Sequence, residues 1–274
     1  MKKIVSLILA LVMCACVCLS LASCGETVNS KIGIQSGTTS EAYAKVLKGV
    51  EVVSFDTFAL AAQAMKNGNA DYVFVDKTTA NALCAEIEGL KIIDIALSSE
   101  YYGIGIDPSQ PSLKVDIDRI LVEKADEVQA IKDKYMNGEK DSYVGVASAT
   151  KNNDNAQGQL VVATNAEFAP WEYKEGNLYY GIDMEIAKLI ATELNLELVI
   201  DDMQFNMVVG AVGKNGVDIA MAGLTVNDER KKSVNFTESY YNAAQVLVVL
   251  EDEDAFDDCK TAEDVLGKLD ELKK

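Results

Sequence analysis

Residues 222–230 read Ala222-Gly-Leu-Thr-Val-Asn-Asp-Glu-Arg230, and residues 35–40 read Gln35-Ser-Gly-Thr-Thr-Ser40. The later stretch offers a planar guanidinium beside amides and a hydroxyl, a set that matches a carboxylate. The earlier one offers a glycine–hydroxyl turn, and the apolar run Tyr72–Val75 downstream of it ends in a lone acid, Asp76. A single aspartate at a strand end suits an ammonium. The two stretches read as facing halves of one amino-acid site, and their order decides how the chain must be wired.

Outward from these stretches, short apolar runs alternate with helical patterns. Strands are expected at Lys31–Ile34, Val52–Phe55, Tyr72–Val75, Ile92–Ile95, Tyr102–Ile106, Gln159–Thr164, Asp218–Ala222 and Val246–Leu250. Helices are expected between them, with a long helical pattern over Leu113–Met136, an amphipathic helix over Asp183–Leu194 and a terminal one over Thr261–Leu272. Continuous apolar runs of four to six residues fit parallel strands buried on both faces. The alternation predicts α/β layers. An internal echo supports two similar lobes: Asn67-Gly68 before Asp71, and Asn215-Gly216 before Asp218, each close a helix and open a strand. Residues 137–158 are rich in Asn, Asp, Ser, Ala, Gly and Lys without periodicity, and read as a flexible linker.

The first 23 residues read as an export signal, with Lys2 and Lys3 ahead of an apolar run from Ile4 to Ala22. Leu21-Ala-Ser-Cys24 resembles a bacterial lipobox, which implies a diacylglycerol thioether on Cys24 and a short tether over 24–30. The net charge is −18, and loss of Lys2 and Lys3 makes it more negative. Such acidity argues against nucleic acid and anionic headgroups as partners. The chain has no histidine, and no cysteine cluster has metal-ligand spacing, so neither a metal nor a cofactor is expected. Beyond the leader and Cys24, Cys84 and Cys259 remain, either as small buried apolar residues or as a disulfide.

Several motifs together carry a family resemblance. Asn165-Ala-Glu-Phe168-Ala-Pro170-Trp171-Glu172-Tyr173, Gly181-Ile-Asp183, Gly223-Leu-Thr225 with Arg230, and Tyr240-Tyr241 look like the first half of an ABC-transporter substrate-binding protein for polar amino acids. Ile34-Gln35-Ser-Gly-Thr38-Thr39, the stretch through Asp76, and Tyr102-Gly-Ile-Gly105 look like the second half. The implied fold is the two-lobed type II periplasmic-binding-protein fold, in circularly permuted order, because the family places the Phe-Ala-Pro half first. Lobe 2 would take 31–100 plus 251–274, and lobe 1 would take 101–136 plus 159–250. The linker at 137–158 would join the family's old termini. About 20 flexible residues span roughly 25 Å, ample for neighbouring ends. The rival wiring is a domain-swapped piece of a tandem protein.

The resemblance implies site roles as well. Arg230 would hold the ligand's α-carboxylate with Thr225, Gly223, Thr39 and Thr38, and Asp76 would take its α-ammonium. Phe168 and Phe205 would sandwich the side chain, and Trp171, which matches an aromatic of the family's motif, would either line the pocket or sit in the core. Asn165 and Gln35 would read side-chain identity; neither is charged, which points to a neutral polar or small apolar amino acid. The implied partners are a free amino acid, an ABC permease and, through Cys24, the outer face of the cytoplasmic membrane. A dehydratase-like enzyme on this fold would need a general acid, for which Glu172 and Glu41 are the candidates. A sensor would need a signalling module. A binding protein, not an enzyme, is the expectation.

Overall fold

The computed structural model describes residues 30–152 and 158–272; the leader at 1–23, Cys24 and linker residues 153–157 lie outside them. β1 (Ser30–Gln35), α1 (Thr39–Val46), β2 (Val50–Phe55), α2 (Phe58–Lys66), β3 (Tyr72–Asp76), α3 (Lys77–Glu86) and β4 (Leu90–Ile93) alternate as the residue pattern predicts. β1 pairs in parallel with both β2 and β3. Every residue of β3 is buried, which explains its unbroken apolar run. Thr57 caps α2 by accepting the Leu60 amide at 3.1 Å.

The chain then crosses to a second sheet through β5 (Glu100–Tyr102) and β6 (Gly105–Ile106). α4 (Pro111–Glu123) and α5 (Ala125–Met136) follow, a single helical pattern broken at Lys124. β7 (Gln159–Thr164), β8 (Glu167–Phe168), β9 (Glu172–Glu175), β10 (Leu178–Tyr180), α6 (Ile182–Glu193), β11 (Glu197–Asp202), α7 (Phe205–Ala211), β12 (Ile219–Ala220) and β13 (Asn235–Phe236) complete this part. β14 (Tyr241–Ala243) pairs antiparallel with β5, and β15 (Gln245–Leu250) and α8 (Ala262–Glu271) return to the first sheet. The closing helix starts on a capping box between Thr261 and Asp264.

The two large sheets share one plan. Their orders are β2-β1-β3-β15-β4 and β11-β7-β12-β6-β13. In each, the second strand, β1 or β7, runs parallel to both its neighbours. In each, an antiparallel fourth strand arrives from the other half of the chain: β15 against β3, and β6 against β12. The Val246–Leu250 strand therefore lies in the first sheet, not in lobe 1 where the sequence partition put it. Its valines are fully buried there against β3 and β4. The crossing pair β5 and β14 is the connection between lobes.

The stretch read as a flexible linker is held in place as far as it is described. Val146 is buried and exchanges amide bonds with Tyr179 at 2.7 and 2.9 Å. The Ala149 amide donates to Leu198, the Ser148 hydroxyl accepts from Ile200, and Lys151 pairs with Asp201 at 2.8 Å. The reason is the partner strand: β11 is the sheet edge, and its outward N–H and C=O groups need partners. A polar, aperiodic composition carries no sign of such pairing.

Candidate ligand-binding site

The site lies at the carboxyl ends of β1, β3, β7 and β12, where open α/β sheets commonly bind ligands. Gln35, Thr38, Thr39, Asp76, Phe168, Phe205, Ala222, Gly223, Thr225 and Arg230 line one cavity of about 10 Å³ between the sheets. The predicted residues thus converge from both stretches. A volume of this size holds roughly one water, so the lobes stand closed over it.

Arg230 sits on a short 3-10 turn, Arg230–Lys232. Asp228 and Glu229, its acidic neighbours, pair instead with Lys231 and Lys232. The guanidinium is left to the cleft. Its Nη1 donates to the Thr225 carbonyl at 2.9 Å, its Nη2 to the Gly37 carbonyl across the cleft at 3.2 Å, and it lies 5.3 Å over the Phe205 ring. Burial pulls its pKa down, while Glu100 and Asp76 oppose that shift.

Asp76 ends β3 and stands at the start of α3 without capping it through its side chain. It is buried, accepts the Tyr102 hydroxyl, and is bonded by Gln245. Burial, reinforced by the nearby Glu100 charge, raises its carboxyl to about 7. Its partner groups ease that shift only in part.

Two glycines are required by geometry. A Cβ at Gly223, where φ is +53°, would stand 2.7 Å from the Phe168 ring. At Gly37, φ is +81° and a Cβ would meet Asn206 of the facing lobe at 3.0 Å. The Thr38 hydroxyl donates to the Gln35 carbonyl at 2.6 Å, so it closes its own turn. The Gln35 amide donates to the Asn165 side chain at 2.8 Å, and Asn165 donates to the Met203 carbonyl at 3.0 Å. Asn165 supports the cavity through Gln35 and is not among its lining residues.

Of the two places open to Trp171, pocket lining or core, it takes the core. It is fully buried, stands 4.9 Å from the Tyr102 ring and 4.6 Å from the Tyr241 ring, and does not line the cavity. Its indole N–H donates to Thr78 of the other lobe at 2.8 Å. The aromatic layer that it joins is core, because the tyrosines fill the space toward the ligand.

Sequence reasoning missed Glu100. This buried acid on β5 accepts the Thr39 hydroxyl at 2.9 Å and the Thr225 hydroxyl at 2.6 Å on one oxygen, and Ser98 at 2.9 Å on the other. The only signal was a charge ahead of a buried strand. Beneath the site, Asp183 accepts the Gly223 amide at 2.9 Å and the Tyr240 hydroxyl at 2.7 Å. Burial raises Asp183 to about 6 and lifts the neighbouring Glu172 well above the usual carboxylate range. Glu172 is fully buried and is not among the residues that line the cavity.

A larger groove of about 620 Å³ runs between α3 and residues 135–143. Its charged residues, Glu86, Lys140 and Glu175, are exposed, and it lacks the buried opposite charges of the smaller cavity. Cys84 and Cys259 are free. Among the described residues no His, Cys, Asp and Glu cluster could hold a metal ion, and no helix is long and apolar enough to cross a membrane.

Arg230 and Asp76, from different sheets, thus face one cavity between the lobes, with Phe168 and Phe205 as its aromatic walls. Residues 160–274 match the family model of bacterial extracellular solute-binding proteins, family 3, and through that segment the chain belongs to this family. The arginine-binding extracellular protein ArtP of Bacillus subtilis is 35% identical over 105 residues, 38% of this chain and 41% of ArtP. A probable histidine-binding protein of Neisseria gonorrhoeae is 33% identical over 90 residues, 32% of this chain and 33% of its own length. The arginine-bound form of domain 1 from TmArgBP is 27% identical, covers 45% of this chain and all of that one, and has a TM-score of 0.30. The chain spans well under half the length of the curated relatives named here. Cyclohexadienyl dehydratase of Pseudomonas aeruginosa is also similar, 29% identical over 99 residues, 36% of this chain and 37% of that enzyme.

Proposed function

We propose that this protein captures a free amino acid between its lobes outside the cytoplasm and delivers it to an ABC permease, anchored to the membrane through lipid on Cys24. One observation carries the reading: Arg230 and Asp76, contributed by different sheets, share a single small cavity with two aromatic walls. Arg230 takes the α-carboxylate and Asp76 the α-ammonium. The amides of Thr39 and Thr225 have no backbone hydrogen-bond partner among the described residues, and are available to the same carboxylate. Entry requires the lobes to part, because the closed cavity is too small for an amino acid. Parting them breaks the bond from Arg230 to the Gly37 carbonyl, which spans the cleft. Closing around a ligand shifts the population toward the form that a permease recognises.

The chain order reads as a circular permutant. Completion of the cavity within one chain, and the exchange of β6 and β15 between halves, support this over a domain-swapped wiring.

Selectivity is for a neutral polar or small apolar side chain, since Gln35 and Asn165 are uncharged and bond to each other. A second reading, a cationic amino acid, is favoured by the excess of acid: Asp76 and Glu100 face one Arg230. Calorimetric titration with the common amino acids tests both. Micromolar binding of Ser, Thr, Ala, Asn or Gln supports the first, and exclusive binding of Arg, Lys or His replaces it with the second. Binding of none, or turnover of prephenate, overturns the transport reading.

A further inference from the structure

We propose that Glu100 is a positioning residue of the amino-acid site, drawing one ligand-binding threonine from each lobe onto a single carboxylate oxygen and keeping a second negative charge behind Asp76. This inference rests on the amino-acid reading above. Thr39 stands at the start of α1 in the first lobe, and Thr225 follows β12 in the second. Their hydroxyls donate to the same Oε2 of Glu100, at 2.9 and 2.6 Å. Each hydroxyl has one proton to give. With those protons committed to Glu100, the threonines meet a ligand carboxylate through their backbone amides, in the orientation that Glu100 imposes.

The placement of Glu100 suits that role. It lies on β5, one of the two strands that cross between lobes, so it moves little when they open. It is buried, and its charge is met by three hydroxyl donors, Ser98, Thr39 and Thr225, in place of an ion pair. Opening the lobes removes at least one donor, and a buried carboxylate losing a donor is costly. Closure is therefore tied to the geometry that the ligand needs.

Its charge also acts on the cavity. The groups facing Asp76 are Glu100 and Tyr102 from β5, Tyr241 from β14, Gln245 from β15, Glu172 from β9 and Arg230. Those facing Glu100 are Asp76, Arg230, Tyr102 and Tyr43 of α1. The Glu100 charge beside Asp76 helps to hold a proton there, and an ammonium that binds Asp76 takes that proton's place and releases it.

The test is the pH profile of amino-acid affinity in the full chain, with Glu100→Gln and Glu100→Asp compared with wild type by calorimetry between pH 5 and 9. The amide keeps the shape and removes the charge. Glu100→Gln is expected to weaken binding about tenfold at pH 8 and to move the midpoint of the profile to lower pH. Glu100→Asp keeps the charge with a shorter reach, and is expected to keep the wild-type midpoint while weakening binding. An unchanged midpoint in Glu100→Gln, with or without lost affinity, overturns the inference. If that variant fails to fold, a midpoint shift in Glu100→Asp as large as its loss of affinity overturns it instead. Wild type that binds no amino acid removes the underlying reading, and this inference with it.

Discussion

Asp71 and Asp218 hold the same position in the two lobes. Each follows an Asn-Gly turn, and each carboxylate accepts a backbone amide of the neighbouring central strand, from Lys31 at 2.8 Å and from Val161 at 2.9 Å. Each aspartate's own amide donates back to that residue's carbonyl, at 2.8 and 3.0 Å. The repeated motif fixes where β3 and β12 begin, and so where their far ends place Asp76 and the Gly223 loop.

Arg230→Ala should abolish capture and leave the fold intact. Charge-assisted bonds contribute about 1.5–3 kcal/mol each, and a two-pronged grip doubles that, so affinity should fall by about 100-fold or more. Calorimetry gives the loss. A circular-dichroism melt within a few degrees of wild type shows that it arises at the site.

The pH dependence follows from Asp76. Its carboxyl is raised from 3.8 to about 7, so the folded protein holds a proton there that the unfolded chain releases above about 4. Its contribution to stability is full below the unfolded value and declines as pH rises to about 7. An ammonium ligand prefers the ionised form. Affinity should therefore rise about tenfold per pH unit up to about 7 and then level off. Titrations at pH 6 in buffers of different ionisation enthalpy should show about one proton released.

Trp171 is the sole tryptophan and reports closure, because its indole bond reaches Thr78 of the other lobe. Ligand should change its emission, and Thr78→Val should reduce that change while sparing most affinity. Trp171→Ala should cost about 3–5 kcal/mol as a core truncation, measured by urea unfolding.

Asp183→Ala leaves the Gly223 amide and the Tyr240 hydroxyl without their shared acceptor. Each orphaned group costs about 1–3 kcal/mol. The melting midpoint should drop by several degrees, and affinity should fall because the Gly223 loop loses its anchor. A melt and a titration on one sample separate the two effects.

Val146→Asp tests the docked segment. A charge in place of a buried valine should release residues 143–152 from β11, and limited proteolysis should then cut there first. Equal resistance in both proteins would count against the docking.

Much of the fold was legible because its strands are buried on both faces. β1, β3 and β7 show as apolar runs, and Asn-Gly pairs mark the helix ends. That Arg230, Thr225, Asp76 and Thr39 share one cavity was legible because the two stretches that carry them resemble facing halves of one family site. Glu100 was not, because an isolated glutamate near a strand looks like a surface charge until three hydroxyls are seen around it. Trp171 stayed open between pocket and core in the sequence because an aromatic near a site motif does not disclose which way its ring faces.

By itself the sequence determined the alternation of elements, the repeat of one lobe plan and which side chains, an arginine and an aspartate, end the two facing stretches. Those depend on local patterns and on the properties of single side chains. Only the tertiary structure decided which sheet received β15, how the 143–152 segment covered the edge of β11, and that one buried carboxylate joins both lobes. These depend on pairings between residues far apart in the chain, where burial and the need to satisfy every polar group select among arrangements that the local pattern permits equally.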